Sequence, residues 1–242
     1  MKYNITQRGN IYAGIFSIFL LCSSACFAQQ LEVSKYGVPV IRKAKVYAET
    51  VERDSNKKMT NLQELIPDIV LDLRYATENN FMKRRMYPGH TSKTFVRAPA
   101  AYALQQVQNE LRSRGYGLKI FDAYRPYSVT EKFWELVHDD RYVADPKKGS
   151  GHNRGIAVDL TIIDLKTKQE LKMPTGFDNF TDSAHHDFTS LPDEVKQNRA
   201  LLKNIMEKHG FVPFDTEWWH YSLPNPLKFE VLDLSFEELD MN

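Results

Sequence analysis

Cysteine is scarce in this sequence: the 242 residues contain only Cys22 and Cys26, both close to the first residue. If that first segment is removed, the remaining chain has no disulfide, no thiolate metal ligand and no cysteine nucleophile. Four catalytic signatures are also missing: H-E-x-x-H, G-x-S-x-G, a phosphate-binding glycine loop and a dinucleotide fingerprint. These absences remove several common enzyme classes from consideration.

The sequence also lacks a hydrophobic run long enough to cross a membrane. After a basic start, the apolar stretch 11–22 has about a dozen residues, too few for roughly 30 Å of hydrocarbon. Cys26 and Ala28 then provide small residues at the positions a signal peptidase needs, which predicts a signal peptide over residues 1–28 and no stable membrane insertion after cleavage. We expect a periplasmic or extracellular protein. A retained anchor and lipid attachment at Cys26 are the alternatives, the latter disfavoured because Ser23 stands where a lipobox usually has Leu.

No excess of charge of one sign is present, since 32 Lys and Arg balance 31 Asp and Glu. Removing the signal segment takes away Lys2 and Arg8 and no acidic residue, which leaves 30 basic against 31 acidic residues. Such a surface has no general attraction for nucleic acid, so we expect no nucleic-acid partner. The composition, 42% hydrophobic and 26% charged, is that of an ordinary globular protein.

The apolar periodicity predicts one main domain, residues 62–242, preceded by a loosely attached N-terminal arm, residues 29–61. Within the domain we expect interspersed elements. The first half has a strand near 69–73, a loop over 78–97, a helix from Pro99 to Gly115 and a strand at 118–121. A helix follows, opened by a capping box of Ser128 and Glu131. The second half has a strand at 156–163, a helix ending at Gly210 and a last strand over 211–222. This order indicates an α+β fold with a small, mainly antiparallel sheet flanked by helices.

The strand at 156–163 carries a carboxylate in its middle. Asp159 shares one strand face with Ala157 and Thr161, and a buried carboxylate needs a cation or several donors. His152 lies just upstream in a glycine-rich loop and can fold back toward it. A bound metal would satisfy both residues. The alternative is that Asp159 pairs with an arginine and His152 is a surface residue.

The second cluster is EWWHY at 217–221. With His152 and Asp159, His220 completes two imidazoles and one carboxylate, the ligand set of a catalytic zinc whose fourth position stays open. Glu217 would then take a proton from the attacking water and pass it to the leaving amine. Strict strand alternation puts Glu217 and His220 on opposite faces, so the hypothesis requires a bulge. The two tryptophans between them are expected to be core residues.

Other polar residues have weaker signals. Arg125 lies between a strand and a helix, where a guanidinium can stabilise the oxyanion of peptide hydrolysis, although a surface ion pair is the ordinary alternative. Adjacent side chains rarely converge on one ion, so the pair His185 and His186 is expected to be structural. The remaining histidines are expected on loops or helix faces: His90, His138 and His209.

Three motifs in order, DAYRP at 122–126, SGHNRGIAVDLT at 150–161 and EWWHY at 217–221, closely resemble those of the VanX-type D-alanyl-D-alanine dipeptidases. That family consists of zinc peptidases related to D-Ala-D-Ala carboxypeptidases and to the hedgehog domain. The resemblance spans about residues 62–226. It implies a hedgehog-like or DD-peptidase-like fold and one zinc ion per chain.

The resemblance also implies roles for individual residues. It assigns zinc to His152, Asp159 and His220, the general base to Glu217 and transition-state stabilisation to Arg125. It further implies that Ser150 holds the substrate carboxylate, that Asp178 meets the free ammonium, and that Tyr75 lines the pocket. Where the family motif has Ser-His-His, this sequence has Ala184 before its two histidines.

The expected function is therefore zinc-dependent hydrolysis of D-alanyl-D-alanine or a similar D,D-dipeptide. A carboxylate such as Asp178 at the end of a closed pocket favours a free amine over a longer acyl chain. The first alternative is a zinc carboxypeptidase or endopeptidase acting on peptidoglycan stem peptides. The second is a binding module with a structural zinc, which has no need of Glu217 and Arg125. Export favours wall turnover or dipeptide scavenging.

Overall fold

The computed structural model describes residues 31–241. The predicted signal peptide, with Cys26, lies outside the described residues. The helices are α1 Ala44–Arg53, α2 Leu62–Leu65, α3 Ala98–Arg112, α4 Tyr127–Val137, α5 Asp193–Lys208 and α6 Phe236–Asp240. The strands are β1 Glu32–Val33, β2 Pro39–Ile41, β3 Met59–Asn61, β4 Val70–Leu71, β5 Phe95–Arg97, β6 Tyr116–Asp122, β7 Ala157–Asp164, β8 Val212–Phe214, β9 Glu217–Ser222 and β10 Val231–Leu232. Within residues 31–241, none of the helices has the length and apolar character that a membrane crossing requires.

The main sheet has five strands in the order β4-β6-β7-β9-β8. Only β4 and β6 run parallel, so the sheet is mainly antiparallel, and the predicted α+β fold is confirmed. On one face, Val158, Leu160 and Ile162 of β7 join a buried core that α3 and α5 also supply. Because side chains alternate along a strand, Asp159 points to the opposite face, where a cavity lies.

The predicted last strand is wrong in one respect: residues 211–222 form a hairpin of β8 and β9. Asp215 and Thr216 connect the two strands. The pairing register jumps from Pro213 opposite Tyr221 to Phe214 opposite Glu217, which places extra residues on β9. This irregularity is the bulge that the metal hypothesis required, and that expectation is confirmed.

Helix α4 begins without the predicted capping box. Its N-cap is Pro126, which offers no side-chain bond, and Ser128 already lies inside the helix. The backbone N–H of Ser128 instead donates to Oδ1 of Asp233, 2.8 Å away and 105 residues along the chain. Because that partner is so remote, local sequence could not predict the cap.

The arm expected to be loose is packed against the domain over its described part. Strand β2 pairs in parallel with β10, and β3 pairs antiparallel with β5. Val40 and Ile41 of β2 are each only 1% exposed. The last three residues of the predicted loop 78–97 form strand β5 instead. The domain boundary at Leu62 stays a prediction.

Candidate active site

A cavity of about 260 Å³ opens over the Asp159 face of the main sheet. All eight residues that sequence analysis assigned to the site line this cavity. They come from separate parts of the fold: the turn after β4, the end of β6, the loop before β7, β7 itself, the loop after it and the bulged strand β9. Its volume lies just below the roughly 300–1,000 Å³ that is usual for ligand pockets, which suits a small ligand.

Three metal-binding side chains converge at the base of the cavity. The Nδ1 atom of His220 lies 2.9 Å from Oδ1 of Asp159 and 3.3 Å from Nε2 of His152. The His152 Nε2 atom lies 3.5 Å from Oδ2 of Asp159. The three donor atoms lie within 4.8 Å of one another, which makes them a group able to hold a metal ion. The alternative of a surface His152 is wrong, since this residue is 3% exposed.

The surroundings of the three side chains fit a zinc ion. The Nδ1 atom of His152 faces the carbonyl oxygen of Ala123 at 2.7 Å, so Nδ1 carries the proton and Nε2 keeps its lone pair for a metal. Burial acts to raise the pKa of Asp159, but His152 and His220 outweigh it and hold that pKa below its ordinary value. Two imidazole nitrogens and an ionised carboxylate are the donors that catalytic zinc sites use.

Glu217 lies beside this group of donors. The bulge in β9 turns its carboxylate toward the cavity, and Oε2 stands 3.9 Å from Nδ1 of His220. Burial raises the pKa of Glu217 above its ordinary value, with His220 opposing the shift and Asp159 adding to it. A carboxylate with a raised pKa, next to a metal but outside its ligand set, is suited to carrying a proton.

Arg125 is held rigidly at the cavity wall rather than in a surface ion pair. Its Nη2 and Nε atoms donate to Oδ2 of Asp122 at 2.7 and 3.1 Å. The guanidinium also lies 5.1 Å from the ring centres of both Tyr75 and Phe133. Asp122 is fully buried and accepts a third bond, from the hydroxyl of Tyr87 at 2.7 Å. These contacts leave Nη1 of Arg125 as the guanidinium nitrogen that has no bond to Asp122.

Asp178 and Tyr75 form one end of the cavity. The Tyr75 hydroxyl donates to Oδ1 of Asp178 at 3.0 Å, and the Phe81 backbone N–H donates to Oδ2 at 3.3 Å. Burial raises the pKa of Asp178 to about 7, with the Tyr75 bond opposing the shift and Asp159 adding to it. A desolvated carboxylate gains from an incoming cation, so this end of the cavity suits an ammonium group.

Sequence analysis missed several residues that line the cavity. Trp218 is a core residue as expected, and its Nε1 donates to Oγ1 of Thr175 at 3.0 Å. Trp219, also expected in the core, is 1% exposed yet lines the cavity. The other aromatic lining residues had no distinguishing motif: Phe81, Phe133, Tyr142, Phe180 and Phe214. Their role as lining residues follows from their proximity in the folded structure and has no signal in the local sequence.

The other histidines take the positions expected of them. His90 pairs with Glu237 at the surface, and His209, the C-cap residue of α5, contacts Glu110 on α3. His186 packs its ring against Tyr221, with ring centres 5.9 Å apart. Among residues 31–241, the only group of three metal donors is the one that contains His152.

Comparisons with known proteins identify a family. The family model described as D-ala-D-ala dipeptidase matches residues 55–238. A D-alanyl-D-alanine dipeptidase of Escherichia coli (strain K12) is 33% identical over 175 residues, which cover 72% of this chain and 89% of that protein. A D-alanyl-D-alanine dipeptidase of Enterococcus faecalis (strain ATCC 700802 / V583) is 31% identical over 180 residues, 67% of this chain and 89% of that one.

Similarity to solved structures is weaker. A VanYB structure in complex with D-alanine-D-alanine has a TM-score of 0.37 and 15% identity, covering 55% of this chain and 74% of that chain.

Proposed function

Because this chain belongs to the D-Ala-D-Ala dipeptidase family, we propose that it hydrolyses D-alanyl-D-alanine, or a similar D,D-dipeptide, to free amino acids. The observation that carries the proposal is the convergence of His152, Asp159 and His220 beside Glu217 in one small cavity. His152, Asp159 and His220 would hold one zinc ion, which when bound supplies Lewis acidity toward the attacking water and the scissile carbonyl.

Glu217 moves the proton in this proposal. Its carboxylate accepts a proton as water attacks the peptide carbonyl, and the same carboxyl then donates it to the nitrogen of the leaving D-alanine. Its position next to the zinc ligands, and its raised pKa, support both transfers. One residue serves as base and then as acid because the proton ends on the leaving group.

Arg125 stabilises the charge that develops on the carbonyl oxygen. Its guanidinium is fixed by Asp122 before the substrate binds, so its Nη1 needs little reorganisation to donate to an oxyanion. The aromatic rings of Tyr75 and Phe133, which contact each other at 5.0 Å between centres, pack against the guanidinium and restrict its movement. Both features strengthen an electrostatic contact in a partly desolvated cavity.

Two other groups bind the ends of the dipeptide. Asp178 accepts the free ammonium, and the Tyr75 hydroxyl holds the Asp178 carboxylate in place. Ser150 donates its hydroxyl to the carboxylate of the second residue. A substrate with a blocked amine loses the ionic contact and leaves Asp178 desolvated without a cationic partner, which is a penalty against longer peptides.

The proposal is tested by comparing D-Ala-D-Ala with its N-acetylated form. We expect kcat/KM to favour the free dipeptide by about 100-fold or more, the cost of leaving one buried charge unpaired. The D178N variant should show a much smaller preference. Equal or better hydrolysis of the acetylated substrate would identify a carboxypeptidase or endopeptidase instead.

The raised pKa of Asp178 predicts a pH-dependent effect of removing this carboxylate. Above pH 7 the wild-type group is ionised and binds ammonium, whereas below pH 7 it is protonated and resembles the amide of D178N. The KM of D178N divided by the KM of the wild type should therefore be largest at pH 8 and roughly tenfold smaller at pH 6. Titration of Glu217 affects both proteins equally and cancels. A ratio independent of pH contradicts this assignment.

The proposed setting is outside the cytoplasm, in wall turnover or dipeptide scavenging. The basic start and short apolar run of residues 1–28 support export. An exported enzyme cannot easily destroy dipeptide before it enters wall precursors in the cytoplasm, which disfavours a role in vancomycin resistance. Fractionation of the source cells tests the proposed export. Mature protein found in the cytoplasm would contradict it.

A further inference from the structure

One fully buried amide joins several parts of the site. Asn153 follows His152 and has no exposed surface. Its Nδ2 atom donates to the backbone oxygen of Arg125 and to Oγ1 of Thr130, both at 2.9 Å, and its Oδ1 accepts from the N–H of Ser150 at 3.0 Å. Both donors and the acceptor of the amide are therefore used within the protein. Asn153 does not line the cavity and cannot bind substrate itself.

The first consequence concerns the hydroxyl of Ser150. The backbone N–H of Asn153 donates to Oγ of Ser150 at 3.1 Å. A hydroxyl oxygen that accepts from an N–H turns its own hydrogen away from that donor. Because Ser150 lines the cavity, its O–H is then free to donate to a substrate carboxylate. Asn153 also occupies the Ser150 N–H, so the hydroxyl is the group of Ser150 left for the substrate.

The second consequence concerns Arg125. Its backbone oxygen is held by Asn153, and its backbone N–H donates to the oxygen of His152 at 3.3 Å. The junction between β6 and α4 is thus tied on both sides to the loop 150–155. The distance between the guanidinium and Ser150 depends on this link, because the two residues lie in separate segments of the chain.

A third contact connects Asn153 to the rest of the fold. Its backbone oxygen accepts from the N–H of Leu232 at 3.0 Å. Leu232 belongs to β10, which pairs with β2 of the N-terminal arm. The arm and the C-terminal segment therefore support the loop that carries Ser150 and His152.

We propose that Asn153 is a positioning residue of the dipeptidase reaction, which fixes Ser150 and Arg125 relative to each other. This inference rests on the proposed function, because the spacing matters only for a substrate that contacts both residues. Ser150 acts mainly on binding and Arg125 on the transition state. Loss of Asn153 should therefore change KM and kcat together.

The test is a double-mutant cycle of N153A and S150A on the zinc-loaded full chain. We expect N153A to keep one zinc per chain, to raise KM about tenfold and to lower kcat about tenfold. In the S150A background the additional rise in KM should disappear, because Asn153 acts on KM through Ser150. A residue of purely structural importance would give additive effects instead.

A matched control is available in Gln108, another buried amide. Its Nε2 donates to Asp68 and its Oε1 accepts from Leu118, and it does not line the cavity. Q108A should lower the melting temperature by a similar amount to N153A while leaving KM and kcat close to those of wild type. Parallel kinetic losses in both variants would overturn the positioning role.

If N153A is recovered unfolded, the N153D variant tests the positioning role instead. One carboxylate oxygen still accepts from Ser150, but the other cannot donate to Arg125, so kcat should fall about tenfold with KM near wild type. Wild-type kinetics in a folded N153A or N153D, or additive effects in the cycle, would overturn the inference. An inactive, zinc-loaded wild-type chain would instead overturn the proposed function.

Discussion

Replacing Glu217 by glutamine is expected to lower kcat for D-Ala-D-Ala by about 10²–10⁴-fold, the usual contribution of a proton-transferring side chain. Glutamine has almost the same shape but cannot accept the proton of the attacking water. Zinc should remain bound, because the three donors His152, Asp159 and His220 do not include Glu217. KM should change little. Steady-state kinetics, together with zinc analysis of the purified variant, provide the measurement.

Glu230 offers the matched control for this experiment. Its side chain is 17% exposed, against 16% for Glu217, and it pairs with Lys57 and Arg97 away from the cavity. E230Q should keep wild-type turnover even if it lowers stability. Turnover at the wild-type rate in E217Q would show that another group carries the proton.

Replacing Arg125 by lysine is expected to lower kcat by about 10²–10³-fold. This is the effect usually seen when an enzyme loses one hydrogen-bond donor to an oxyanion. A lysine keeps the charge but cannot bind Asp122 through two nitrogens while also presenting a third to the substrate. The variant should also be less stable, because Asp122 is fully buried and loses part of its hydrogen bonding. Kinetics and thermal unfolding separate the two effects.

Arg74 serves as the control for Arg125. It also pairs with an aspartate, Asp72, at 2.9 Å and lies over an aromatic ring, 4.7 Å from the centre of Phe121. It does not line the cavity. R74K should therefore retain kcat. If R125K and R74K lose activity equally, Arg125 has no special role in the transition state.

The placement of His152, Asp159, His220 and Glu217 in one cavity could be predicted from the sequence because the proposed site requires a specific chemical type at each position. Asp159, a carboxylate within an apolar strand, needs a cation nearby. His152 and His220 lie in motifs with recognisable spacing and can bind a metal ion together with it. The bulge in β9 was also expected, since strict alternation would have kept Glu217 and His220 from facing the same cavity. The α+β class followed from the order of helices and strands.

The support of the site could not be predicted because it depends on contacts between distant segments. Asp233 binds the N-terminus of α4 in place of the expected capping box, and Leu232 holds the oxygen of Asn153. Helix α1 of the arm has three buried residues at helical spacing over its ten residues, and the sequence analysis did not predict it. The strands of the arm gave no periodic signal because they are only two or three residues long, and their buried side chains gain their environment from β10 and β5. Such pairings have no signature in local sequence.

Titration of the metal-free chain with zinc tests the central claim most directly. The chelated protein should release no D-alanine from D-Ala-D-Ala, and activity should rise linearly with added zinc until it reaches a plateau at one ion per chain. Hydrolysis that persists after zinc has been removed, or a plateau at any other ratio, would contradict a single catalytic ion held by His152, Asp159 and His220.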